Sequence, residues 1–202
     1  KMFLTRRSFV QAAGSGAALV TIGQAGFSAT EGGGSPEQPL FSFVQWNDVH
    51  LDLTQPNGYR LANEKMAYLV SRISSMEGRD RPAFLIGVGD MIHGGTAQCL
   101  APDTGLQKSM MADLGIPFYP VIGNHENVQR EGDASYEAAY LEAFGEDRAN
   151  YTLQHKGLLF IMLNNSGTPM SNAGDVGKRR NAWFRGVLEA HRDVPKIVSC
   201  HI

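Results

Sequence analysis

The sequence predicts an α/β fold, and three observations carry that expectation. Four apolar runs, LFSFVQW (40–46), PAFLIGVG (82–89), PFYPVIG (117–123) and PKIVS (195–199), are continuous rather than alternating, as strands buried on both faces are. Stretches with apolar residues at helical spacing lie between them, so helices cover a sheet. Each of the four runs stops at, or just before, residues that favour metal ions: Asp48-Val49-His50, Gly89-Asp90, Gly123-Asn124-His125-Glu126 and Cys200-His201.

The elements follow in chain order. After the first strand, Ala62, Met66, Leu69, Val70 and Ile73 recur at helical spacing within 59–76 and bury one face. The polar break EGRDR (77–81) and Pro82 precede the second strand. A long loop is expected over 91–102, then a short helix over 104–114, capped by Gly115 and barred from continuing by Pro117. SYEAAYLEAFG (135–145) follows the third strand as a helix ending at Gly145. YTLQ (151–154) and GLLFIML (157–163) form a hairpin with His155-Lys156-Gly157 at its turn. The last helix, over 180–191, carries Trp183, Phe184, Val187 and Leu188 as an apolar stripe.

Composition sets limits. With 202 residues, 43% hydrophobic and 19% charged, the chain is that of one ordinary globular domain. Its formal net charge is −2, from 18 Lys+Arg against 20 Asp+Glu, with no basic stripe to hold a nucleic-acid backbone. A nucleic-acid polymer is therefore not an expected partner, whereas a small nucleotide is compatible with this charge.

The clusters at the strand ends supply carboxylate, imidazole and amide donors directed towards one point, as a pair of hard-to-borderline cations requires. Hydrolysis of a phosphate ester calls for such a pair, because the anionic substrate repels hydroxide and water is a poor nucleophile near neutral pH. Taken singly each motif is weak: Gly-Asp after a strand is commonly a turn, and Asp-x-His commonly a turn with a surface carboxylate. Order, spacing and placement together carry the case.

In that order the set resembles the calcineurin-like metallophosphoesterases, whose motifs run D-x-H, G-D, G-N-H-[D/E], a later His, and G-H-x-H; the first four are present over 40–202. The resemblance implies two mixed sheets packed as a sandwich and flanked by helices, with metals at the strand ends. It implies Asp48 and His50 on one ion, Asp90 bridging, and Asn124 and His201 on the other, the ions being Fe, Mn or Zn. His125 would serve the leaving group, and a metal-bound hydroxide would be the nucleophile. Glu126 would orient His125 or a ligand. The substrate expected is a small-molecule phosphate monoester or diester. The alternative is a binding module of the same fold, without turnover, that recognises anionic or phosphorylated ligands outside the cytoplasm.

Some positions depart from the pattern. Position 47 is Asn, where Ser is frequent. Position 93 is His, where the phosphoprotein phosphatases place an Asp that orients the catalytic His, and where purple acid phosphatases place Tyr. Neither branch fits, and a broader phosphomonoesterase or phosphodiesterase branch fits better. His93 is open to two readings, a substrate contact or an ordinary loop histidine. The G-H-x-H motif is not reached by Ile202, so the domain reads as incomplete at its C-terminus, with weak metal binding and little turnover expected of these residues alone.

Ahead of the domain, Thr5-Arg6-Arg7-Ser8-Phe9-Val10 resembles a twin-arginine export signal, followed by an uncharged, weakly hydrophobic stretch to Thr30. The expected organisation is a signal peptide over 1–29, a flexible spacer over 30–39 and the domain over 40–202, with the export machinery as a partner and a periplasmic or extracellular destination. No membrane span is expected once the signal is removed. Removing 1–29 deletes Lys1, Arg6 and Arg7, so Lys+Arg falls from 18 to 15 against 20 Asp+Glu, a net charge of −5. Cys99 and Cys200 are read as core or strand thiols more readily than as a disulfide.

Overall fold

A computed structural model describes residues 9–10, 17–23, 39–53, 61–126, 134–166 and 175–201. Strands β1 (Phe9–Val10), β2 (Ala17–Gly23), β3 (Pro39–Trp46), β4 (Leu85–Val88) and β5 (Phe118–Val121) form one sheet in that order; β6 (Asn150–His155), β7 (Leu158–Leu163) and β8 (Lys196–Cys200) form a second. The helices are α1 (Ala62–Ser74), α2 (Ala97–Ala112), α3 (Ala134–Phe144) and α4 (Asp175–Ala190). Two sheets with helices are what the resemblance implied.

Strands β3, β4 and β5 run parallel, with Val44 opposite Leu85 and Leu85 opposite Phe118. Their continuous apolar runs feed two cores. One face packs Val44, Trp46 and Leu85 against Met66, Val70 and Ile73 of α1 and Leu100 and Met111 of α2. The other packs Phe43, Phe84, Ile86 and Val121 against Tyr151, Leu158, Phe160 and Met162 of the second sheet. Burial on both faces therefore accounts for the absence of alternation. Met66, Val70 and Ile73, at the predicted spacing, are the buried face of α1.

Three element boundaries differ from the sequence reading. The expected loop over 91–102 is helical from Ala97, so α2 contains Pro102. Pro102 cannot donate to the helix ladder. Tertiary packing offsets that loss: Leu100 is 2% exposed, and Asp103 and Thr104 are 0% and 1% exposed. Helix α4 starts at Asp175 rather than 180. In the hairpin, His155 belongs to β6 and pairs with Leu158. The turn is Lys156-Gly157 alone, both at positive φ (47° and 81°), the signature of a two-residue hairpin turn with the strands' own twist.

The segment read as a leader contributes to the first sheet, since β2 pairs antiparallel with β3, Leu19 opposite Val44. The Arg6-Arg7 pair and residues 24–38, which include most of the proposed spacer, lie outside the described residues. Cys99 and Cys200 are not joined in a disulfide, the first being buried and the second exposed. Among the described residues, no helix is long and apolar enough to cross a membrane.

Phe160 joins the two sheets. It is fully buried, and its ring meets those of Phe43 and Phe84 edge-on, with centroids 5.2 Å away in each case. Phe160→Ala is expected to lower stability by about 3–5 kcal/mol in urea denaturation, through lost transfer energy and a residual cavity. Val198→Ala, on the 44% exposed side of β8, should change it by less than about 0.5 kcal/mol.

Candidate metal centre

The loops after β3 and β4 run side by side as a continuation of the parallel ladder. Asp48 N–H donates to the Gly89 carbonyl (3.2 Å), His50 N–H to Asp90 (3.0 Å) and Leu51 N–H to Met91 (2.8 Å). Asp48, His50 and Asp90 all adopt left-handed backbone, with φ of 55°, 55° and 52°. Such φ costs a non-glycine residue about 1 kcal/mol or more and is held only where surroundings enforce it. Here that conformation takes the chain out of the strand pleat. Asp48 and His50, two apart in sequence, thereby share one side with Asp90, and one donor atom from each of the three lies within 4.8 Å of the others.

Asp90 is 4% exposed and sits at the centre of the cluster. Its Oδ1 accepts the His125 backbone N–H at 2.9 Å. Its Oδ2 lies 3.3 Å from His201 Nε2 and 3.8 Å from His125 Nε2. His201 arrives from the end of β8, and its Nδ1 donates to the Val88 carbonyl at 3.1 Å, an acceptor only. In the neutral imidazole this leaves the Nε2 lone pair turned towards the Asp90 carboxylate. A cation shared between the two relieves that opposition, and a backbone carbonyl fixing the far nitrogen is the usual support of a metal-ligating histidine. The residues therefore fit a cation centre.

Two glycines make these approaches possible. A Cβ on Gly89 would stand 2.4 Å from the His201 ring, and one on Gly123 would stand 2.3 Å from Asp90 N and 2.4 Å from its Oδ1. That Gly89 admits the His201 ring was not legible in the sequence.

His125 Nδ1 donates to the His93 backbone carbonyl, which leaves Nε2 on the Asp90 side. A peptide carbonyl thus orients the His125 ring. The His93 ring is also in the cluster, 5.4 Å from that of His125 and 6.0 Å from that of His50 between centroids. It is half-buried among chemistry-bearing groups, not on a remote loop. Burial first, and the neighbouring His125 imidazole second, hold His50 below the usual histidine range, which favours its neutral, ligating form. Asn124 is exposed on the turn after β5, adjacent to His125.

Glu126 has the role that spacing alone left undetermined. It is 1% exposed, and its two oxygens accept four backbone N–H groups: Asp90 (2.8 Å) and Gly123 (2.8 Å) on Oε2, Met91 (2.7 Å) and Ile92 (3.2 Å) on Oε1. The side chain binds the loop after β4 to the loop after β5. Burial, and then the Asp90 charge, push its pKa up, while the amide bonds oppose them.

Sequence reasoning passed over Asp103. It lies inside α2, fully buried, accepting Leu53 N–H at 2.8 Å on Oδ1 and Gly94 N–H at 3.2 Å on Oδ2. It holds both the loop beyond His50 and the loop that carries the His93 carbonyl. An Asp between Pro102 and the expected helix start at Thr104 was the available signal.

Glu126→Gln exchanges one accepting oxygen for a donor, so at least two of the four amides lose their partner whichever way the amide turns. Each buried orphan costs about 1–3 kcal/mol, and the substitution is expected to destabilise the domain by at least about 2 kcal/mol in chemical denaturation. Cation affinity, measured by calorimetry, should fall alongside as Asp90 loses its position.

Among curated proteins nothing matches the chain. Of solved structures, a dimetal phosphatase from Danio rerio is similar at 16% identity and a TM-score of 0.46, over 77% of this chain and 54% of that one. A Pseudomonas putida nuclease, MPE, is similar at 22% identity and a TM-score of 0.31, over 46% and 44%. A protein of unknown function from Aquifex aeolicus, AQ665, is similar at 12% identity and 0.34, over 78% and 89%. The chain spans about half the length of the first two. Residues 41–202 match the calcineurin-like phosphoesterase family, which is most of the chain and contains every residue of the cluster. The chain belongs to the calcineurin-like phosphoesterase family.

Proposed function

We propose that these residues form most of a dinuclear centre for hydrolysing phosphate esters of small molecules. One observation carries the reading: Asp90, buried, has donor atoms of Asp48 and His50 within 4.8 Å, His201 Nε2 at 3.3 Å and His125 Nε2 at 3.8 Å. A carboxylate with two oxygens among several ligating groups is suited to bridging two cations. Asp48 and His50 would hold the first, and Asn124 and His201 the second, the neutral Asn124 and imidazoles leaving net positive charge at the site. When bound, such a pair clamps the phosphoryl oxygens and acidifies the attacking water. Fe, Mn and Zn all suit this mixed nitrogen and oxygen donor set.

His125 is then placed to act on the leaving group. With its Nδ1 proton committed to the His93 carbonyl, its Nε2 is the nitrogen available to give a proton to the departing oxygen. Its backbone N–H, bonded to Asp90 Oδ1, keeps the proton donor and the bridging carboxylate at fixed separation. Glu126 and Asp103 contribute by holding the loops; neither needs to touch substrate.

The Arg6-Arg7 leader belongs to the same proposal as an address for export by the twin-arginine route, and immunoblotting of the periplasmic fraction with and without Arg6→Lys/Arg7→Lys tests it. An unaltered distribution in the double variant would rule that route out.

The experiment for the activity is Asp90→Asn in the full-length protein, assayed on a panel of p-nitrophenyl monoesters and diesters with metal content measured in parallel. The expected outcome is at least a hundredfold loss of rate with loss of bound metal, on the scale of the several kcal/mol that Lewis-acid catalysis supplies. Near-normal turnover would remove the dimetal reading.

A further inference from the structure

We propose that His50, His93 and His125 form a second, all-nitrogen cation cradle that overlaps the carboxylate centre and takes copper, or zinc in excess of what that centre holds. One ring nitrogen from each of the three lies within 4.8 Å of the other two, and all three side chains are only partly exposed. The rings converge from three separate loops: His50 after β3, His93 beyond β4 and His125 after β5. Centroids are 4.6 Å apart for His50 and His125, 5.4 Å for His93 and His125, and 6.0 Å for His50 and His93.

An ion with Zn–N bonds of about 2.0–2.1 Å in tetrahedral geometry holds its ligand atoms about 3.3 Å apart. Closure by roughly 1.5 Å at most is needed, within the reach of side-chain rotation. The positions of His93 and His125 are coupled, because the His93 carbonyl receives the His125 Nδ1 proton. That bond commits Nδ1 of His125 and leaves Nε2 as its coordinating atom.

The two cradles differ in chemistry and share one ligand. Asp48, His50 and Asp90 offer two carboxylates and one imidazole, which suits Mn(II) and other hard ions; three neutral imidazoles suit zinc and copper. His50 belongs to both sets. An ion in the nitrogen cradle therefore draws a ligand from the carboxylate centre and occupies His125 Nε2. This last consequence rests on the proposed phosphoesterase reading: excess zinc or copper then suppresses turnover by disabling the proton donor, whereas manganese does not. Metal identity becomes a means of regulation at this site.

Binding is tested without reference to turnover. One equivalent of Cu(II) is added to the full-length protein, and pulsed EPR counts the coordinated imidazoles. Three are expected in the wild type, two in His93→Gln and in the second variant His93→Asp, and three in Asp48→Asn. Copper affinity should fall at least about tenfold in His93→Gln. Mn(II) affinity in that variant should stay within about twofold of wild type, which also verifies the fold. An unchanged imidazole count in both His93 variants would overturn the cradle, since another histidine such as His201 would then be the donor. A copper affinity that falls more in Asp48→Asn than in His93→Gln would overturn it too. In activity assays, His93→Gln should need at least tenfold more zinc for half-inhibition. Three imidazoles with no inhibition by zinc would leave the cradle standing and count against the role of His125 in catalysis.

Discussion

The geometry of the candidate metal centre depends on one buried carboxylate. Glu126 accepts four backbone amides from two different loops, and nothing else described ties the Asp90 peptide to the Gly123 peptide so directly. Parallel strands bring β4 and β5 to a common edge but do not fix the loops beyond it. Without an acceptor there, four amides would be buried with no water to satisfy them, and the loops would separate to reach solvent. The Glu126 charge is costly to bury, and the amides supply the local positive potential that makes its burial tolerable. Asp90 gains its position from that exchange.

Around this bond the site is layered. Backbone carbonyls of Val88 and His93 set the tautomers of His201 and His125. Asp103 fixes the peptide next to the His93 carbonyl, through the Gly94 amide. A Cβ on Gly94 would fall 2.2 Å from the His125 carbonyl, so only glycine permits the contact that aims the imidazole. The side chains that could hold a cation are thus few, and the backbone that directs them is extensive.

This division explains what was legible in the sequence. The strands were readable because burial on both faces writes a continuous apolar run, and α1 because Met66, Val70 and Ile73 recur at its period. Asp48, His50, Asp90, His125 and His201 stood out because cation chemistry favours those residue types, and the fold brings them close to one another. Glu126 was visible as a residue but not as a clamp, since its partners are peptide amides, which every position has. The contribution of His93 through its carbonyl has no side-chain signature at all, and the partners of Asp103 are likewise peptide amides. The start of α2 was misplaced because Pro102 reads as a barrier, whereas burial of Leu100, Asp103 and Thr104 overrides it. The left-handed backbone of Asp48 and His50 was likewise unreadable, because neither residue type announces its φ.

The hydrogen bond from His201 to Val88 joins positions 113 residues apart. Contacts so distant along the chain close late, because the loop they seal is long and its entropy must be overcome before any gain is collected. The second sheet must dock on the first before that imidazole can meet Asp90. The pairing of His201 with Asp90 therefore reports on maturation: only a polypeptide that has finished its topology can present both groups to one point.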